Sequence, residues 1–351
     1  MLAAWMAAMA GSSARRPTRG APGRRANGPA VIRALVSIGT NSTRLLVLDG
    51  DRRIAAESRG TRIGAGIGET GAIDPAARDR TLAAIDDYVR QARELGATAA
   101  DAIATSALRR ASDGEAFGNE VAKRVGIAPS VLVGAEEATY SFLGATASHA
   151  GDGATASRAG EEQIAVLDVG GGSTELAVDS PARARANGEV QRAMSLEIGA
   201  VRLSERHPAL LGAQALDENE RRALEGEARA DASAVLHPFT AVRGFTELIV
   251  VGGTAFTAAA MVANGAHDGA TLTGADRRRL IDDLLARDLD ARKAMPNIRP
   301  QRADILPAGL IVVDEACRAL NIDTFTVSEA DLLQGYLTSP AFRAVPLPPK
   351  R

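Results

Sequence analysis

Hydrophobic residues occur along this chain as short apolar runs that alternate with stretches of helical spacing. In residues 164–178, IAVLDVGGGSTELAV, two apolar runs flank three glycines followed by a Ser-Thr-Glu segment. Short apolar runs bounded by turn residues are typical of strands, so this stretch predicts a strand, a tight turn and a second strand. Glycine accepts a positive φ and has no Cβ, so the turn can bring several backbone N–H groups against one anion.

The same pattern occurs a second time. Residues 36–47, VSIGTNSTRLLV, align without a gap with residues 167–178, LDVGGGSTELAV. An isolated GGGST favours a plain glycine-rich hairpin. The repeat, together with a third glycine turn in LIVVGGT (residues 248–254), favours two similar halves that face one cleft. The alignment places Ser37 where the second copy has Asp168.

Strands and helices alternate through the rest of the chain. Beyond the two hairpins, strands are predicted over residues 99–104, 130–133, 190–198, 247–251 and 324–327. Helices are predicted over residues 75–95, 115–125, 134–148, 217–236, 254–263, 275–287 and 304–320, with a last helix that ends at 337. Residues 182–188 predict a polar turn. The βαβ alternation predicts an α/β fold with mostly parallel sheets covered by helices.

The length of 351 residues predicts about two domains. We place them at residues 31–149 and 150–339, with a loop at 150–162 and a proline-bearing tail at 340–351. Residues 1–30 predict a disordered basic arm, because arginines cluster there and no acidic residue precedes Asp49. The apolar start of the arm is shorter than the roughly 20 residues that span a bilayer. Its charges follow the apolar part, unlike those of a secretory signal, which predicts a cytoplasmic protein.

Composition narrows the classes of function. Hydrophobic residues make up 46% and charged residues 24%, the balance of a globular protein with a buried core. A net charge of −2 and an aromatic content of 3% argue against a nucleic-acid or membrane surface. The single cysteine, Cys317, excludes an intramolecular disulfide and a cysteine-based zinc site, and it is predicted to lie in the core. Any metal should therefore be bound by carboxylates, which suits Mg²⁺ or Mn²⁺.

Several polar residues follow predicted strands, where open α/β folds bind ligands. Asp168 can hold a divalent cation, and Glu175 can bind metal or water or be an exposed strand position. Glu136 and Glu137 begin a helix, where a carboxylate can deprotonate a water. Acidic residues also favour that position through the helix dipole, and composition alone favours this second interpretation. Arg109 can bind phosphate oxygens in bidentate fashion or be solvated.

The glycines of RIGAGIGETG, residues 62–71, match GxGxxG at Gly66, Gly68 and Gly71. A mobile surface loop is favoured there over a dinucleotide site, because the preceding strand signal is poor.

Taken together, these motifs resemble the exopolyphosphatase / guanosine pentaphosphate phosphohydrolase family of the actin / sugar kinase / Hsp70 superfamily. The resemblance covers about residues 36–337. It is carried, in order, by IGTNSTRLLV, RIGAGIGETG, ATSALRRA, VGAEEA, VLDVGGGSTEL, SLEIGAVRLSE, VVGGTAFTAAA and RADILPAGL. It implies two ribonuclease H-like (actin-like ATPase) domains around a central cleft, in the family's short two-domain form.

The resemblance also implies roles for individual residues. Glu137 would be the general base, Asp168 and Glu175 would bind Mg²⁺, with Mn²⁺ as the alternative, and Arg109 would neutralise phosphate charge. Phosphates would be held by Gly39, Thr40, Asn41, Ser42, Gly170, Gly171, Gly172, Ser173, Gly252, Gly253 and Thr254. The implied substrates are inorganic polyphosphate or guanosine pentaphosphate or tetraphosphate, with release of the terminal phosphate, and the implied assembly is a homodimer.

This chain departs from the family pattern at several positions. Ser37 replaces an Asp, Thr139 an Arg, and Asp113 an Asn; Leu333 and Gln334 replace an Arg and a Glu. These departures motivate a second hypothesis, a catalytically weakened member that binds or senses polyphosphate or guanosine pentaphosphate or tetraphosphate. A kinase or ATPase of the same superfamily is less favoured, because the glutamate pair resembles the hydrolase branch and no sugar-binding pattern occurs.

Overall fold

The computed structural model describes residues 31–147, 162–265 and 267–347 of the protein. The predicted arm of residues 1–30 and nearly all of the predicted loop at 150–162 lie outside these residues. Within them, the strands form two six-stranded sheets, one in each half of the chain.

The strands are β1 (Ile32–Ile38), β2 (Thr43–Asp49), β3 (Arg52–Arg59), β4 (Ala99–Ala104), β5 (Ser130–Val131), β6 (Ile164–Val169), β7 (Thr174–Asp179), β8 (Arg192–Leu196), β9 (Glu247–Val251), β10 (Thr271–Leu272), β11 (Phe325–Val327) and β12 (Val345–Pro346). The first sheet has the order β12-β4-β1-β2-β3, with β5 beside β4, and the second has the order β10-β11-β9-β6-β7-β8.

Both sheets are mixed, so the prediction of mostly parallel sheets was wrong. In the first sheet β1 pairs antiparallel with β2 and parallel with β4. In the second sheet β6 pairs antiparallel with β7 and parallel with β9. Each half therefore opens with an antiparallel meander and adds parallel strands through helical crossovers. The shared pairing pattern is the structural counterpart of the sequence repeat.

The helices are α1 (Ile67–Thr70), α2 (Pro75–Glu94), α3 (Ser106–Arg110), α4 (Gly114–Val125), α5 (Gly134–Ala145), α6 (Pro181–Asn187), α7 (Ala200–Arg206), α8 (Glu218–Leu236), α9 (Gly253–Val262), α10 (Gly274–Leu285), α11 (Leu289–Lys293), α12 (Leu306–Leu320) and α13 (Leu332–Thr338). Short 3₁₀ turns cover Pro208–Leu211, His237–Ala241 and Pro300–Arg302. No described helix combines the length and apolar character that a bilayer-spanning helix needs.

Residues 182–188 form a helix, α6, and the prediction of a polar turn there was wrong. The Ser180 side chain accepts a hydrogen bond from the Arg183 backbone N–H at 3.3 Å, and Pro181 occupies the first turn. Gly188, with φ of 71°, ends the helix in the left-handed conformation. A capping hydroxyl, an N-terminal proline and a C-terminal glycine together specify a helix despite its polar composition.

The last helix returns the chain to the first half. Leu332 and Leu337 of α13 pack in one cluster with Leu35 and Leu48 of the first sheet. Val345–Pro346, within the predicted tail, then pairs with β4. The predicted domain boundary at residues 149 and 150 stays a prediction.

The second half buries its core around α12. Cys317 is fully buried in that helix, as predicted. It packs in one cluster with β-strand residues such as Leu167 and Val250, so its role is packing.

Candidate active site

Two glycine turns of the same construction lie at the ends of the β1–β2 and β6–β7 hairpins. Gly39 N–H donates to the Ser42 carbonyl at 3.0 Å, and Gly170 N–H donates to the Ser173 carbonyl at 3.0 Å. The two copies of the repeat therefore share both their sequence and the hydrogen bond that closes the turn.

The two turns lie directly against each other. A Cβ placed on Gly172 would lie 2.8 Å from Thr40 Oγ1 and 2.9 Å from Ser106 Oγ. A Cβ on Gly171 would lie 3.1 Å from the Thr40 Cβ. Side chains at these two positions would push the turns apart, so glycine is needed here for close approach rather than for conformational freedom.

A cleft lies between the turns. Its walls include Ser37, Glu137, Asp168 and Glu175, and the predicted phosphate-binding residues Gly39, Thr40, Asn41, Ser42, Gly170, Gly171, Gly172, Ser173, Gly252, Gly253 and Thr254. The third glycine turn also lines the cleft. In this turn Gly252 has φ of 97°, and α9 begins at the next residue. Backbone N–H groups at such a helix start favour bound anions. Of the predicted site residues, Arg109 alone is outside this wall, and it contacts Glu137 instead.

Three carboxylates converge on the cleft from β6, β7 and α5. Asp168 and Glu175 are directly opposite each other in the β6–β7 register, which puts both side chains on one face of the sheet. Glu137 comes from the first turn of α5 and is only 4% exposed. Two serines orient the pair: Ser141 Oγ donates to Asp168 Oδ2 at 2.6 Å, and Ser195 Oγ donates to Glu175 Oε1 at 2.8 Å.

Burial and mutual repulsion disfavour the ionised forms of these groups. Burial raises the pKa of Glu137 to about 7, although the Arg109 guanidinium opposes the shift. Burial likewise raises the pKa of Asp168 to about 6. Burial and then the charges of Glu137 and Asp168 raise the pKa of Glu175 well above its usual range. A cleft with three carboxyl groups whose pKa values are raised is suited to binding a cation or to proton transfer near neutral pH.

The two glutamates have different roles: Glu136 caps the start of α5, and Glu137 faces the cleft. Glu136 is exposed, and its Oε2 accepts a hydrogen bond from the Val133 N–H at 2.8 Å, as a residue that caps a helix does. Glu137 is turned into the cleft. There its Oε1 lies 2.5 Å from Arg109 Nη1, which also donates to the Leu132 carbonyl at 2.6 Å.

The two hairpins have different side chains at the equivalent positions of the repeat. In β1–β2 the opposed pair is Ser37 and Arg44, where β6–β7 has Asp168 and Glu175. Arg44 lines the cleft and forms an ion pair with the buried Asp331, 2.6 Å from Nη1 to Oδ2. One hairpin therefore supplies carboxylates, and the other supplies a hydroxyl and a guanidinium.

Arg302 is a cleft residue that sequence reasoning missed. It is the last residue of the 3₁₀ turn at Pro300–Arg302 and lies against Gly253, where a Cβ would overlap its guanidinium. Its Nη2 lies 3.4 Å from Ser42 Oγ, and no carboxylate among the described residues is within ion-pair distance. Burial, then the charges of Arg44 and Arg299, lower its pKa to about 10, so it stays charged at neutral pH. The signal was present, since Arg302 begins the motif RADILPAGL.

The family departures fall at different places in the structure. Ser37 and Leu333 line the cleft, whereas Gln334 lines an adjoining cavity. Thr139 donates its hydroxyl to the Ala135 carbonyl at 2.9 Å within α5. Asp113 is remote from the carboxylates, and its Oδ1 accepts a hydrogen bond from Ile73 N–H at 3.0 Å.

The GxGxxG segment, for which a mobile surface loop was predicted, contains a short helix and a hydrogen bond to the second half of the chain. It contains α1, and both Gly66 and Gly71 have positive φ. Gly66 N–H donates to Glu205 Oε1 at 2.8 Å.

Comparison with known proteins gives consistent matches over nearly all of the described chain. The Ppx/GppA phosphatase family matches residues 49–343. Exopolyphosphatase 2 of Mycobacterium tuberculosis is 32% identical over 334 residues, which is 87% of this chain and 97% of that protein. A guanosine-5'-triphosphate,3'-diphosphate pyrophosphatase of Vibrio atlanticus is 25% identical over 307 residues, which is 86% of this chain and 58% of that longer protein.

Solved structures give the same result for the fold. An exopolyphosphatase-like protein is 28% identical with a TM-score of 0.74, over 87% of this chain and 97% of the other. The PPX-GPPA enzyme of Aquifex aeolicus is 24% identical with a TM-score of 0.67, over 88% and 98% of the two chains. The predicted fold class is confirmed: an α/β protein with two ribonuclease H-like, actin-like domains and a central cleft.

Proposed function

Because this chain belongs to the Ppx/GppA phosphatase family, we propose that its phosphoanhydride hydrolase activity releases the terminal phosphate of inorganic polyphosphate or of guanosine pentaphosphate. The observation that carries the proposal is the placement of Glu137. This buried carboxylate, held by Arg109, faces a cleft that two anion-binding turns and two further carboxylates enclose.

The turns would bind the substrate's last phosphates. Residues 39–42 and 170–173 both line the cleft, and Thr254 lies at the start of α9. Arg302 adds a cation that contacts the Ser42 hydroxyl and has no carboxylate partner among the described residues. Transfer of a phosphoryl group depends mainly on positioning and charge neutralisation, which this arrangement supplies.

Glu137 would act as the general base. Its carboxylate takes a proton from a water molecule as the water oxygen forms a bond to the terminal phosphorus. The bond from that phosphorus to the bridging oxygen breaks, and its electron pair stays with the shortened substrate. A pKa of about 7 suits the task, because a base is most effective when its pKa lies near the working pH. Arg109 keeps the carboxylate oriented and partly ionised.

Asp168 and Glu175 fit a divalent metal ion such as Mg²⁺, or Mn²⁺. Within the described residues no three His, Cys, Asp or Glu side chains gather into a metal-binding group. Mg²⁺ is commonly bound by one or two carboxylates together with substrate phosphates. Asp168 and Glu175, which are opposite each other in the β6–β7 pair, would therefore supply enough protein ligands. Burial raises the pKa of both carboxyl groups, neighbouring carboxylates raise that of Glu175 further, and a bound cation would favour their ionised forms. Bound Mg²⁺ would neutralise charge on the phosphate oxygens.

Phosphate release tests the proposal. The full chain is assayed with Mg²⁺ on polyphosphate and on guanosine pentaphosphate, beside Glu137→Gln and the matched control Glu136→Gln. Loss of a general base should lower kcat about 10²- to 10⁴-fold in the first variant. The Glu136 variant should keep most activity, because that side chain is exposed and caps α5. A wild type no faster than Glu137→Gln on either substrate would reject hydrolysis.

A second candidate function rests on the departures that line the cleft. Ser37 and Leu333 remove a carboxylate and a guanidinium from positions where the family pattern has them. The chain would then bind polyphosphate or guanosine tetraphosphate without appreciable turnover. Tight equilibrium binding without phosphate release favours this sensor. A large gain of hydrolysis in Ser37→Asp favours a weakened enzyme.

The homodimer and the cytoplasmic location implied earlier belong to the same proposal. They are tested by sedimentation and by cell fractionation.

A further inference from the structure

Three arginines surround one glutamate beside the cleft, and this group of Arg109, Arg110, Arg202 and Glu197 is here termed the arginine cluster. Glu197 Oε2 lies 2.5 Å from Arg202 Nη2 and 3.6 Å from Arg110 Nε. Its Oε1 lies 3.9 Å from Arg109 Nη2. Glu197 follows β8 and precedes α7, so the cluster brings together the two halves of the chain.

The cluster has more positive charge and more donors than its glutamate can satisfy. Arg109 also contacts Glu137, so three guanidinium groups face two carboxylates and one positive charge remains. Arg202 Nε is buried and has no hydrogen-bond partner among the described residues. Arg202 Nη2 lies close to Glu197 without the alignment of a hydrogen bond. Such a group is suited to an anion that offers more acceptors than one carboxylate.

Two contacts tie the cluster to the site of reaction. Arg109 joins it to Glu137 directly. The Arg202 backbone N–H donates to the Gly171 carbonyl at 3.2 Å, in one of the two phosphate turns. An anion at the cluster would therefore lie next to the general base.

The cluster and Arg302 have different charged neighbours. The charged neighbours of Arg302 are Arg44, Arg299 and Asp331, whereas those of Glu137 are Arg109, Asp168 and Glu197. In an in-line displacement the attacking water and the leaving group are on opposite sides of the phosphorus. The rest of the substrate therefore extends away from Glu137, and the released phosphate is left on the Glu137 side.

We propose that the arginine cluster is a second phosphate site, which takes orthophosphate as it leaves the cleft, and that Glu197 is an internal anion which this phosphate displaces. The source of the phosphate rests on the proposed function; the site itself does not. Guanidinium groups bind phosphate oxygens in bidentate pairs, and a phosphate dianion offers more acceptors than a carboxylate. The Glu197 side chain is 49% exposed, so it can turn further into solvent when a phosphate replaces it.

Product inhibition tests the site in the full chain. The inhibition constant of orthophosphate is measured for wild type, Glu197→Gln, Arg110→Gln and the control Arg206→Gln. Removal of the competing carboxylate should lower this constant about 3- to 10-fold, and loss of the Arg110 charge should raise it by a similar factor. Arg206 lies one turn further along α7 and pairs with Asp231 at 2.8 Å, so its variant should match wild type.

Two results would overturn the proposal. One is an inhibition constant that neither Glu197→Gln nor Arg110→Gln changes. The other is a raised KM in Arg110→Gln with an unchanged inhibition constant, which would assign the cluster to a phosphate of the substrate.

If the chain shows no hydrolysis, calorimetric titration with inorganic phosphate alone decides instead. Weaker binding by Arg110→Gln than by Arg206→Gln supports the site, and equal binding refutes it. Failure of the proposed hydrolysis and failure of the phosphate site are thus separate results.

Discussion

Arg109 and Glu137 form an ion pair in which 2.5 Å separates Nη1 from Oε1. The pair joins α3 to α5 and holds the carboxylate at the wall of the cleft. Burial and the guanidinium act on this carboxylate in opposite directions, and the balance is a pKa of about 7. The first two predictions follow from that balance.

The rate of hydrolysis should rise with pH through about 7. The proposed base, Glu137, would act in its ionised form, so protonation below its pKa would remove the base. We expect kcat to fall about tenfold for each pH unit below 7 and to reach a plateau above it. A profile of kcat against pH between 5 and 9, on saturating substrate with Mg²⁺, checks this. A flat profile between 5.5 and 8 would contradict the assignment of Glu137.

Replacement of Arg109 by Gln should move the acidic limb of that profile to higher pH. The guanidinium lowers the pKa of Glu137 against the effect of burial, so its removal leaves burial unopposed. An opposite charge at this distance is typically worth about 1–3 pH units. Arg110→Gln is the neighbouring control, because Arg110 faces Glu197 rather than Glu137. If the acidic limbs of the two pH profiles, for Arg109→Gln and for wild type, coincide, then the ion pair does not set the pKa of Glu137.

Replacement of Arg302 by Gln should raise the KM for either substrate more than it lowers kcat. Its guanidinium lines the cleft with no carboxylate partner among the described residues. A charge-assisted hydrogen bond is worth about 1.5–3 kcal/mol, which corresponds to a rise in KM of about 10- to 100-fold. Arg299→Gln is the matched control, since Arg299 is exposed and three residues earlier.

The thermal midpoint, Tm, of Arg302→Gln should show whether a change in KM comes from lost substrate binding or from lost stability. Burial disfavours the charge of Arg302, so Arg302→Gln should not lower the Tm. An unchanged KM, or a fall in Tm that accounts for the lost activity, would contradict a role of Arg302 in substrate binding.

Replacement of Gly172 by Ala should weaken phosphate binding without unfolding the protein. The added Cβ would lie 2.8 Å from Thr40 Oγ1 and 2.9 Å from Ser106 Oγ, so the two turns must separate. Overpacking of this kind typically costs about 1–3 kcal/mol. The comparison is Gly226→Ala in α8, where a Cβ meets nothing within 4 Å. Calorimetric titration with inorganic phosphate should show weaker binding for the Gly172 variant alone, and equal affinities would contradict the close packing of the turns.

Features encoded within a few adjacent residues could be predicted from the sequence by itself. The two hairpins repeat, and their glycine turns close with the same hydrogen bond, because turn chemistry acts over four residues. The capping signals of α6 were equally local, but its polar composition obscured them. The family resemblance then added roles for Glu137, Asp168 and Glu175 that the residues alone left open.

The tertiary structure decided which polar residues meet. Residue type and spacing could not separate Glu136 from Glu137, because both suit the first turn of a helix; the packing of α5 turns one outward and buries the other. Arg302 approaches the turn of residue 42 from 260 positions away, and no local pattern encodes that distance. The pKa of about 7 at Glu137 has the same origin, because burial is a property of the assembled fold rather than of any segment.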